Sequence, residues 1–312
     1  MFDDLLLNPD TRERLELYLR IPAATAPSLV LAGEKGLGKR TVGDEIGKFL
    51  LNYGGALIDK HPDFLRVNPE GGKISKGQAD TVRAFTNIHT SIAPRRVILI
   101  DDAECMGDSA ANSLLKTLED GAQTCVFIFV AHKPLLPTIN SRCAFISFSI
   151  MEDHELKNSM PSDVNDIVLA ASDGRIGRYY MLQEDTDFQK QADKIVHTLN
   201  TMTHPRALLL VCHAMMEKDK DYLFEVFSSE QCQGLYALLM AIFRHHLLHL
   251  NQGGEELTFI NAENLCHFYD SQKTVKILKQ LKRAQYLSGK KGRFSKNDFF
   301  ELLTFFINLE RG

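Results

Sequence analysis

The sequence predicts an α/β domain built on a parallel sheet and followed by helical domains, and three observations support this prediction. Apolar runs of four or five residues without polar alternation occur at residues 97–100 and 126–130. Such runs are typical of strands that are buried on both faces of a parallel sheet. Helical patterns separate these runs in the first half of the chain, and only helical patterns follow residue 150. Alternation of strands and helices is the pattern of an α/β fold.

The elements of the α/β domain follow from capping and chain-breaking residues. Asn8, Pro9 and Asp10 cap a helix that runs from residue 11 to about residue 20. Two prolines, Pro22 and Pro27, separate that helix from the next strand. The further elements predicted are a strand at 28–32, a glycine loop at 33–41, a helix at 42–51, a strand within 59–69, a helix at 75–89, a strand at 97–100, a helix at 110–118, and strands at 126–130 and 145–148. This domain is predicted to span residues 1–150.

Short helices joined by short loops fill the rest of the chain, as in a helical bundle. A small helical domain is predicted at residues 151–190 and a larger helical domain at residues 191–312. One predicted helix begins at 152–155, and another follows the turn at 173–178. The other predicted helices cover 164–171, 192–202, 207–217, 222–227, 233–250, 261–269, 273–287 and 296–309.

Composition and charge exclude several classes of protein. With 24% charged and 44% hydrophobic residues, the chain is of the folded rather than the disordered type. Its net charge of −4 gives no global attraction to nucleic acid, so any such contact requires a local patch. The six cysteines form no C-x-x-C pair, which argues against zinc and disulfides and favours a reducing cytosol. No basic signal region or bilayer-length apolar stretch is present, so a cytoplasmic protein without membrane contact is expected.

A phosphate-binding loop is the clearest motif. Residues 33–39 match the pattern G-x-x-x-x-G-K between a predicted strand and a predicted helix. Glycines let backbone N–H groups face an anion while the lysine reaches the terminal phosphates. Mg²⁺ requires a hydroxyl ligand directly after the lysine, but Arg40 occupies that position and Thr41 lies one residue later. The loop is therefore predicted to bind ATP or ADP. Binding of Mg²⁺ and hydrolysis of the nucleotide are doubtful, because the hydroxyl ligand is missing. The alternative is a glycine turn that binds no nucleotide.

Two acids follow the strand at 97–100. Asp101 occupies the position of a metal-binding carboxylate, and Asp102 occupies the position where a glutamate usually polarises the attacking water. Aspartate is one methylene shorter, so water would be held poorly there. Glu104, two residues further, is expected to point elsewhere. The alternative is that these acids only end a strand and cap a helix. The residues predicted to contact a nucleotide are Gly33, Gly36, Gly38, Lys39, Arg40, Thr41, Asp101 and Asp102.

Three further features have both a functional and a structural interpretation. Arg142, in the Ser-Arg-Cys sequence before the last strand, could stabilise phosphate charge in a neighbouring subunit or form a surface ion pair. The histidines at 245, 246 and 249 lack the glutamate of a zinc signature and are interpreted as bundle residues, so no metal site is predicted. Residues 273–296 hold nine basic residues and no acid, which suits DNA, an acidic partner or a solvated face. The contact candidates in that run are Lys273, Lys276, Lys279, Lys290 and Lys291.

Three linked motifs carry a resemblance to a known family. They are Asp-Asp-Ala-Glu-Cys-Met at 101–106, Ala-Ala-Asn-Ser-Leu-Leu-Lys-Thr-Leu-Glu at 110–119, and Leu-Pro-Thr-Ile-Asn-Ser-Arg-Cys at 136–143. With them the chain resembles the bacterial clamp-loader subunits, the AAA+ proteins of the DNA polymerase III holoenzyme. Its Asp-Asp-Ala-Glu sequence, the His-Pro-Asp-Phe at 61–64 and the Gly-Lys-Arg-Thr at 38–41 are most similar to the delta-prime type.

The resemblance implies an AAA+ P-loop domain, a small helical lid and an all-α collar that assembles a ring-like pentamer. It implies that Arg142 acts in trans on the ATP site of an adjacent ATPase subunit. The implied partners are ATPase and delta-like loader subunits, the sliding clamp and primed DNA. The chain departs from the family in lacking cysteines at 49–63, where a four-cysteine zinc module often lies, so no zinc is expected. It also departs at Gly177, where related ATPases carry a lid arginine.

Three functions are compatible with these features. The first is a clamp-loader stator with weak or absent ATPase activity of its own. The second is an active AAA+ ATPase in which Thr41 or a displaced water holds the metal. The third is a DNA-binding adaptor that acts through the basic C-terminal helix. The sequence leaves open whether a nucleotide is bound or hydrolysed, which subunits are neighbours, and the oligomeric state of the isolated chain.

Overall fold

The computed structural model describes most of the first half of the chain and part of the second. The described residues are 5, 7–120, 124–151, 155–157, 160, 164–201, 203, 217–218, 221–222, 229–251, 257–261, 265–266, 268–291 and 304–305. The chain divides into two compact units, with the boundary after Met151.

The first unit is an α/β domain with one five-stranded sheet. Its elements are α1 (Pro9–Leu19), β1 (Leu29–Ala32), α2 (Lys39–Leu50), β2 (Phe64–Val67), α3 (Lys76–Thr86), β3 (Arg96–Ile100), α4 (Asp108–Asp120), β4 (Cys125–Ala131), α5 (Pro137–Asn140) and β5 (Ala144–Ser147). Two short 3₁₀ helices, Ile58–Lys60 and Ala103–Cys105, lie in the connections. The predicted alternation of strands and helices is therefore confirmed.

The strands are all parallel and are ordered β2-β3-β4-β1-β5. In the centre of the sheet, Leu29 of β1 lies opposite Ile128 of β4, and Ile100 of β3 lies opposite Phe129 of β4. The strands β3 and β4 are buried along their whole length, as their uninterrupted apolar sequences predict. Because parallel strands end at the same edge, the loops after β1, β3 and β4 share the carboxyl edge of the sheet.

Two apolar layers cover the faces of this sheet. One contains Leu15 of α1 and Ile46 of α2, and the other contains Val82 of α3 and Leu114 of α4. Burial of these side chains fixes the helices against the sheet and so fixes the loops at its carboxyl edge.

The second unit is mainly helical in the residues that the structure describes. It contains α6 (Asp166–Ser172), α7 (Ile176–Glu184), α8 (Thr186–Asn200), β6 (Glu217–Lys218), β7 (Asp221–Tyr222), α9 (Ser229–Leu250) and α10 (Ser271–Lys291). The predicted division at residues 190 and 191 falls within α8. The separation into a lid and a collar stays a prediction.

Two helical predictions in this unit are wrong at one end each. Helices were expected to reach Glu217 and to begin at Tyr222, but these two residues pair across an antiparallel two-stranded ladder. Predicted helices at 207–216, at 223–227 and at 296–309 apart from residues 304–305 lie outside the described residues. The same is true of most of the helix expected to start at 152–155 and of part of the one at 261–269.

Candidate functional site

The phosphate loop connects β1 to α2 at the carboxyl edge of the sheet. Gly33, Gly36 and Gly38 have φ values of 150°, 82° and 77°, which side chains rarely permit. A Cβ atom at Gly33 would also lie 2.4 Å from the Phe148 carbonyl oxygen. Gly38 is the N-cap of α2, so the loop presents backbone N–H groups and the positive end of a helix to the same space. This geometry fits a phosphate group.

Lys39 is folded back onto its own loop. Its ammonium donates to the carbonyl oxygens of Gly33, at 2.7 Å, and of Glu34. The side chain is buried, and this burial lowers the pKa of Lys39 to about 8, although the charges of Glu104, Asp101 and Asp102 act in the opposite direction. To reach a phosphate, the ammonium must exchange these carbonyl acceptors for phosphate oxygens.

Arg40 pairs with the acid that would otherwise hold a metal. Its Nη1 lies 3.3 Å from Oδ2 of Asp101, whose side chain is only 13% exposed. The two positions that normally bind Mg²⁺ together are thus joined by an arginine–carboxylate pair. Thr41 is exposed on the first turn of α2. The residues present fit a phosphate but not a Mg²⁺ ion between Asp101 and position 40, because a guanidinium has no lone pair to offer a cation.

Three potential metal ligands converge beside this pair. Asp102, Glu104 and His132 each place one ligand atom within 4.8 Å of the other two. His132 Nε2 lies 2.6 Å from Asp102 Oδ1, and the His132 backbone N–H donates to Glu104 Oε2 at 3.1 Å. The expectation that Glu104 points elsewhere is wrong. Asp102 adopts the left-handed conformation (φ 45°) and a 3₁₀ turn follows it, so the chain curls and Glu104 returns to the same edge.

Arg142 lies on the surface of the α/β domain just after α5. Its side chain is 39% exposed, and Nη2 contacts Oε1 of Glu119 at 2.5 Å. Nη1 donates to the carbonyl oxygen of Thr138 at 2.8 Å and to the hydroxyl of Ser141 at 3.2 Å. The guanidinium is therefore held in one orientation while it faces solvent.

The basic candidates of the second unit lie on α10. Lys276 and Lys279 are exposed and Lys273 is half-buried. Lys290 and Lys291 belong to the last turn of α10, but their side chains lie outside the described residues. The helix carries no acidic residue, so an exposed part of its surface is basic.

The histidines of α9 are bundle residues, as predicted. His245 and His246 are buried, and His246 Nε2 lies 2.7 Å from the Tyr269 carbonyl oxygen. Burial lowers the pKa of His246 below its ordinary value. Among the described residues, they take no part in a cluster of three or more metal-ligating side chains.

Two site residues were not predicted from the sequence, namely His132 and Glu119. His132 directly follows β4, and the rule that ligands meet the carboxyl ends of parallel strands could have identified it. Glu119 lies in the last turn of α4 and offers no comparable signal, because its partner Arg142 is 23 residues away in sequence.

Known proteins match parts of this chain. Residues 57–152 match the family model described as DNA polymerase III, delta subunit. The chain is 32% identical over 139 residues to the DNA polymerase III subunit delta' of Pseudomonas aeruginosa, covering 39% of this chain and 42% of the relative. It is 40% identical over 88 residues to that of Escherichia coli K12, covering 27% of this chain and 26% of the relative. In both relatives the match thus spans less than half of the relative's length.

A solved structure supports the fold. A DNA polymerase III gamma subunit-related protein from Thermotoga maritima superimposes with a TM-score of 0.54 and 18% identity, covering 96% of this chain and 100% of that one. The AAA+ fold with a parallel sheet and a helical second half is therefore confirmed, as is the resemblance to the delta-prime subunits. Among the described residues, no helix is both long and apolar enough to cross a lipid bilayer.

Proposed function

We propose that this chain, which has the AAA+ fold and resembles the delta-prime subunits of DNA polymerase III, is a clamp-loader stator. In this function it contributes little ATP turnover of its own and supplies Arg142 to the ATP site of an adjacent ATPase subunit. Its partners are ATPase and delta-like loader subunits, the sliding clamp and primed DNA, and its compartment is the cytoplasm.

The Arg40–Asp101 pair carries the first part of this proposal. Hydrolysis in P-loop proteins requires Mg²⁺ held between the phosphates, a loop hydroxyl and a strand-end aspartate. Here Arg40 replaces the hydroxyl and occupies the aspartate, at 3.3 Å. A guanidinium next to the phosphates supplies positive charge without a metal, which suits binding of ATP or ADP without turnover.

The exposure of Arg142 supports the second part. The side chain of an arginine finger must extend from the surface of its own subunit and contact phosphate oxygens of a nucleotide bound by another chain. Arg142 is exposed, and its contacts to Thr138, Ser141 and Glu119 hold the guanidinium without burying it. A planar guanidinium that is already oriented loses less conformational freedom when it binds a phosphate.

Reconstitution of the loader tests the trans function. In an assembly with its partner subunits, Arg142→Ala should lower turnover at the adjoining ATP site by about 10³-fold or more, the range found for arginine fingers. Arg142→Lys should restore only a small part, since lysine lacks the planar fork. The matched control is Arg83→Ala, because Arg83 is a 59% exposed arginine on α3 that pairs with Asp80. Unchanged clamp-dependent ATPase activity in the Arg142→Ala assembly rules out the trans function.

An ATP hydrolysis assay on the purified chain distinguishes the stator function from that of an active ATPase. A stator shows no ATP turnover above that of a Lys39→Ala variant. Turnover that disappears in Lys39→Ala, at enzyme concentrations free of contaminating ATPase, would favour the active-ATPase alternative.

A DNA-binding adaptor is the second candidate, and the exposed lysines of α10 favour it. Replacement of Lys276 and Lys279 by glutamine in the full chain should then weaken DNA binding. The slope of log affinity against log salt should fall by about 2, since each phosphate contact contributes about 0.9. An unchanged slope would indicate that these lysines form a solvated face and do not contact DNA phosphates.

A further inference from the structure

The carboxyl edge of the sheet carries a cluster that the stator function does not use. Asp102 follows β3, His132 follows β4, and these two strands are neighbours in the sheet. Glu104 joins them from the 3₁₀ helix Ala103–Cys105. Three side chains from two separate segments thus meet at one point, with their ligand atoms within 4.8 Å of one another.

We propose that Asp102, Glu104 and His132 form a binding site for a divalent transition-metal ion, at a position other than the Mg²⁺ position between Asp101 and residue 40. The ligand set is one imidazole nitrogen and two carboxylates, which leaves further coordination positions for water. Such mixed sets suit Mn²⁺, Fe²⁺, Co²⁺ and Zn²⁺, whereas Mg²⁺ and Ca²⁺ are bound mostly by oxygen ligands.

The local backbone already holds the ligands near one another. The N–H group of His132 fixes one oxygen of Glu104, at 3.1 Å, and leaves its second oxygen for a metal. The left-handed backbone of Asp102 is an uncommon conformation for a residue other than glycine, and such conformations are concentrated at functional sites. His132 Nε2 and Asp102 Oδ1, now 2.6 Å apart, need only separate by a fraction of an ångström to admit an ion at about 2.0–2.2 Å from each.

The charges around the cluster favour a cation. Lys39 donates to the carbonyl oxygens of Gly33 and Glu34, and Arg40 pairs with Asp101. Among the described residues, neither cation forms an ion pair with Asp102 or Glu104. Asp102 has His132 as its ion-pair partner, both carboxylates also interact with the charge of Lys39, and a divalent ion would balance the remaining negative charge.

This site is distinct from the Mg²⁺ site of active P-loop ATPases. The aspartate of that site corresponds to Asp101, which is occupied by Arg40. The proposed ion also needs no nucleotide, so its binding can be measured on the free chain and does not depend on the stator function.

Metal titration of the untagged, chelator-treated full chain tests the site. We expect one Co²⁺ or Mn²⁺ ion to bind per chain with micromolar to submicromolar affinity. Calorimetry measures the binding of both ions, and visible absorption also measures that of Co²⁺. Glu104→Gln and His132→Ala should each weaken binding by at least about 10-fold, the usual effect of losing a ligand or its support. The matched controls are Glu184→Gln and His197→Ala, because both residues are exposed and lie outside the cluster.

Thermal unfolding provides a second measurement if a variant folds poorly. Mn²⁺ should raise the Tm of the wild type and of both controls, and should leave the Tm of folded Glu104→Gln unchanged. Affinity weaker than millimolar, wild-type affinity in both cluster variants, or equal affinity for Mg²⁺ would each overturn the assignment.

Discussion

The proposal that this chain binds nucleotide without a metal depends on a single side chain, Arg40. An ion pair with one partner 56% exposed contributes at most about 1 kcal/mol, so Asp101 is released easily when position 40 changes. In Arg40→Thr the hydroxyl and Asp101 are again able to bind Mg²⁺ together. We expect nucleotide affinity of the wild type to be independent of Mg²⁺, and that of Arg40→Thr to rise about 10-fold with Mg²⁺, a change of about 1.4 kcal/mol.

Equilibrium binding of a fluorescent ADP analogue, with Mg²⁺ or with chelator, measures this difference. Lys35→Thr is the matched control, because it removes an exposed cation from the same loop and leaves both residues of the Arg40–Asp101 pair in place. A wild-type affinity that already depends on Mg²⁺ as strongly as that of Arg40→Thr would contradict the prediction.

Lys39 makes anion binding depend on pH in an unusual range. Burial lowers the pKa of Lys39 to about 8, so the free chain loses this positive charge as the pH rises through about 8. Metal-free ADP should therefore bind more weakly at pH 9 than at pH 7, and binding at pH 9 should take up a proton. The calorimetric enthalpy in buffers of different ionisation enthalpy measures that proton. A Lys39→Met variant should bind weakly with no pH dependence in this range, and a wild-type affinity that is flat from pH 7 to 9 would contradict the lowered pKa.

The loop between α3 and β3 is tied to the sheet by one carboxylate. Asp63 is fully buried and accepts from the backbone N–H groups of Ser91 at 2.7 Å, Ile92 at 2.8 Å and Ala93 at 2.9 Å. Burial alone would raise its pKa, but these three donors together with Arg96 bring the pKa of Asp63 below its ordinary value. From the sequence, only a strand within residues 59–69 was predicted around Asp63, and the structure gives this residue its anchoring function.

Loss of this carboxylate should destabilise the α/β domain. Asp63→Ala leaves three N–H groups without their acceptor, and hydrogen bonds to a charged group contribute about 1.5–3 kcal/mol each before relaxation. We expect the free energy of unfolding to fall by about 3 kcal/mol, measured by urea denaturation. Since the folded pKa is lowered, the contribution of Asp63 is complete above the unfolded pKa of about 3.9 and is lost as the pH falls through the folded value. The difference between wild type and Asp63→Ala should therefore shrink below pH 4, and a constant difference down to pH 2 would contradict this account.

The elements that the sequence predicted best are those whose burial is uniform. The strands β3 and β4 are buried on both faces, so their sequences show unbroken apolar runs. Glu104 was misplaced because its direction depends on the left-handed Asp102 and the 3₁₀ turn, which residue spacing does not reveal. His132 was missed because its meeting with Asp102 depends on β3 and β4 being neighbours, a property of the sheet rather than of either segment.

At the scale of the whole molecule, the contact between Glu119 of α4 and Arg142 orients the side chain that is proposed to act in trans. Glu119 lies in the last turn of α4, where the helix dipole disfavours a negative charge. Its contact with Arg142 compensates for this position and orients the guanidinium together with Thr138 and Ser141. Because both side chains are well exposed, the pair adds at most about 1 kcal/mol to stability. Its effect should therefore appear in assembly function rather than in folding.

We expect Glu119→Ala to change the free energy of unfolding by less than about 1 kcal/mol and to lower the kcat of the adjoining ATP site in the assembled loader by about 10-fold. The KM for ATP should stay constant, because the neighbour's own loop holds the nucleotide. Glu119→Gln retains an acceptor oxygen for Nη2 and should recover most of the rate, whereas Glu16→Ala, an exposed glutamate on α1, should have no effect. Steady-state ATPase assays on assemblies that differ only in this subunit give both constants.

Two outcomes would contradict this prediction. An effect of Arg142→Ala without any effect of Glu119→Ala would show that Arg142 acts in trans without needing this contact. A higher kcat in Glu119→Ala would show that the pair restrains the arginine instead of positioning it.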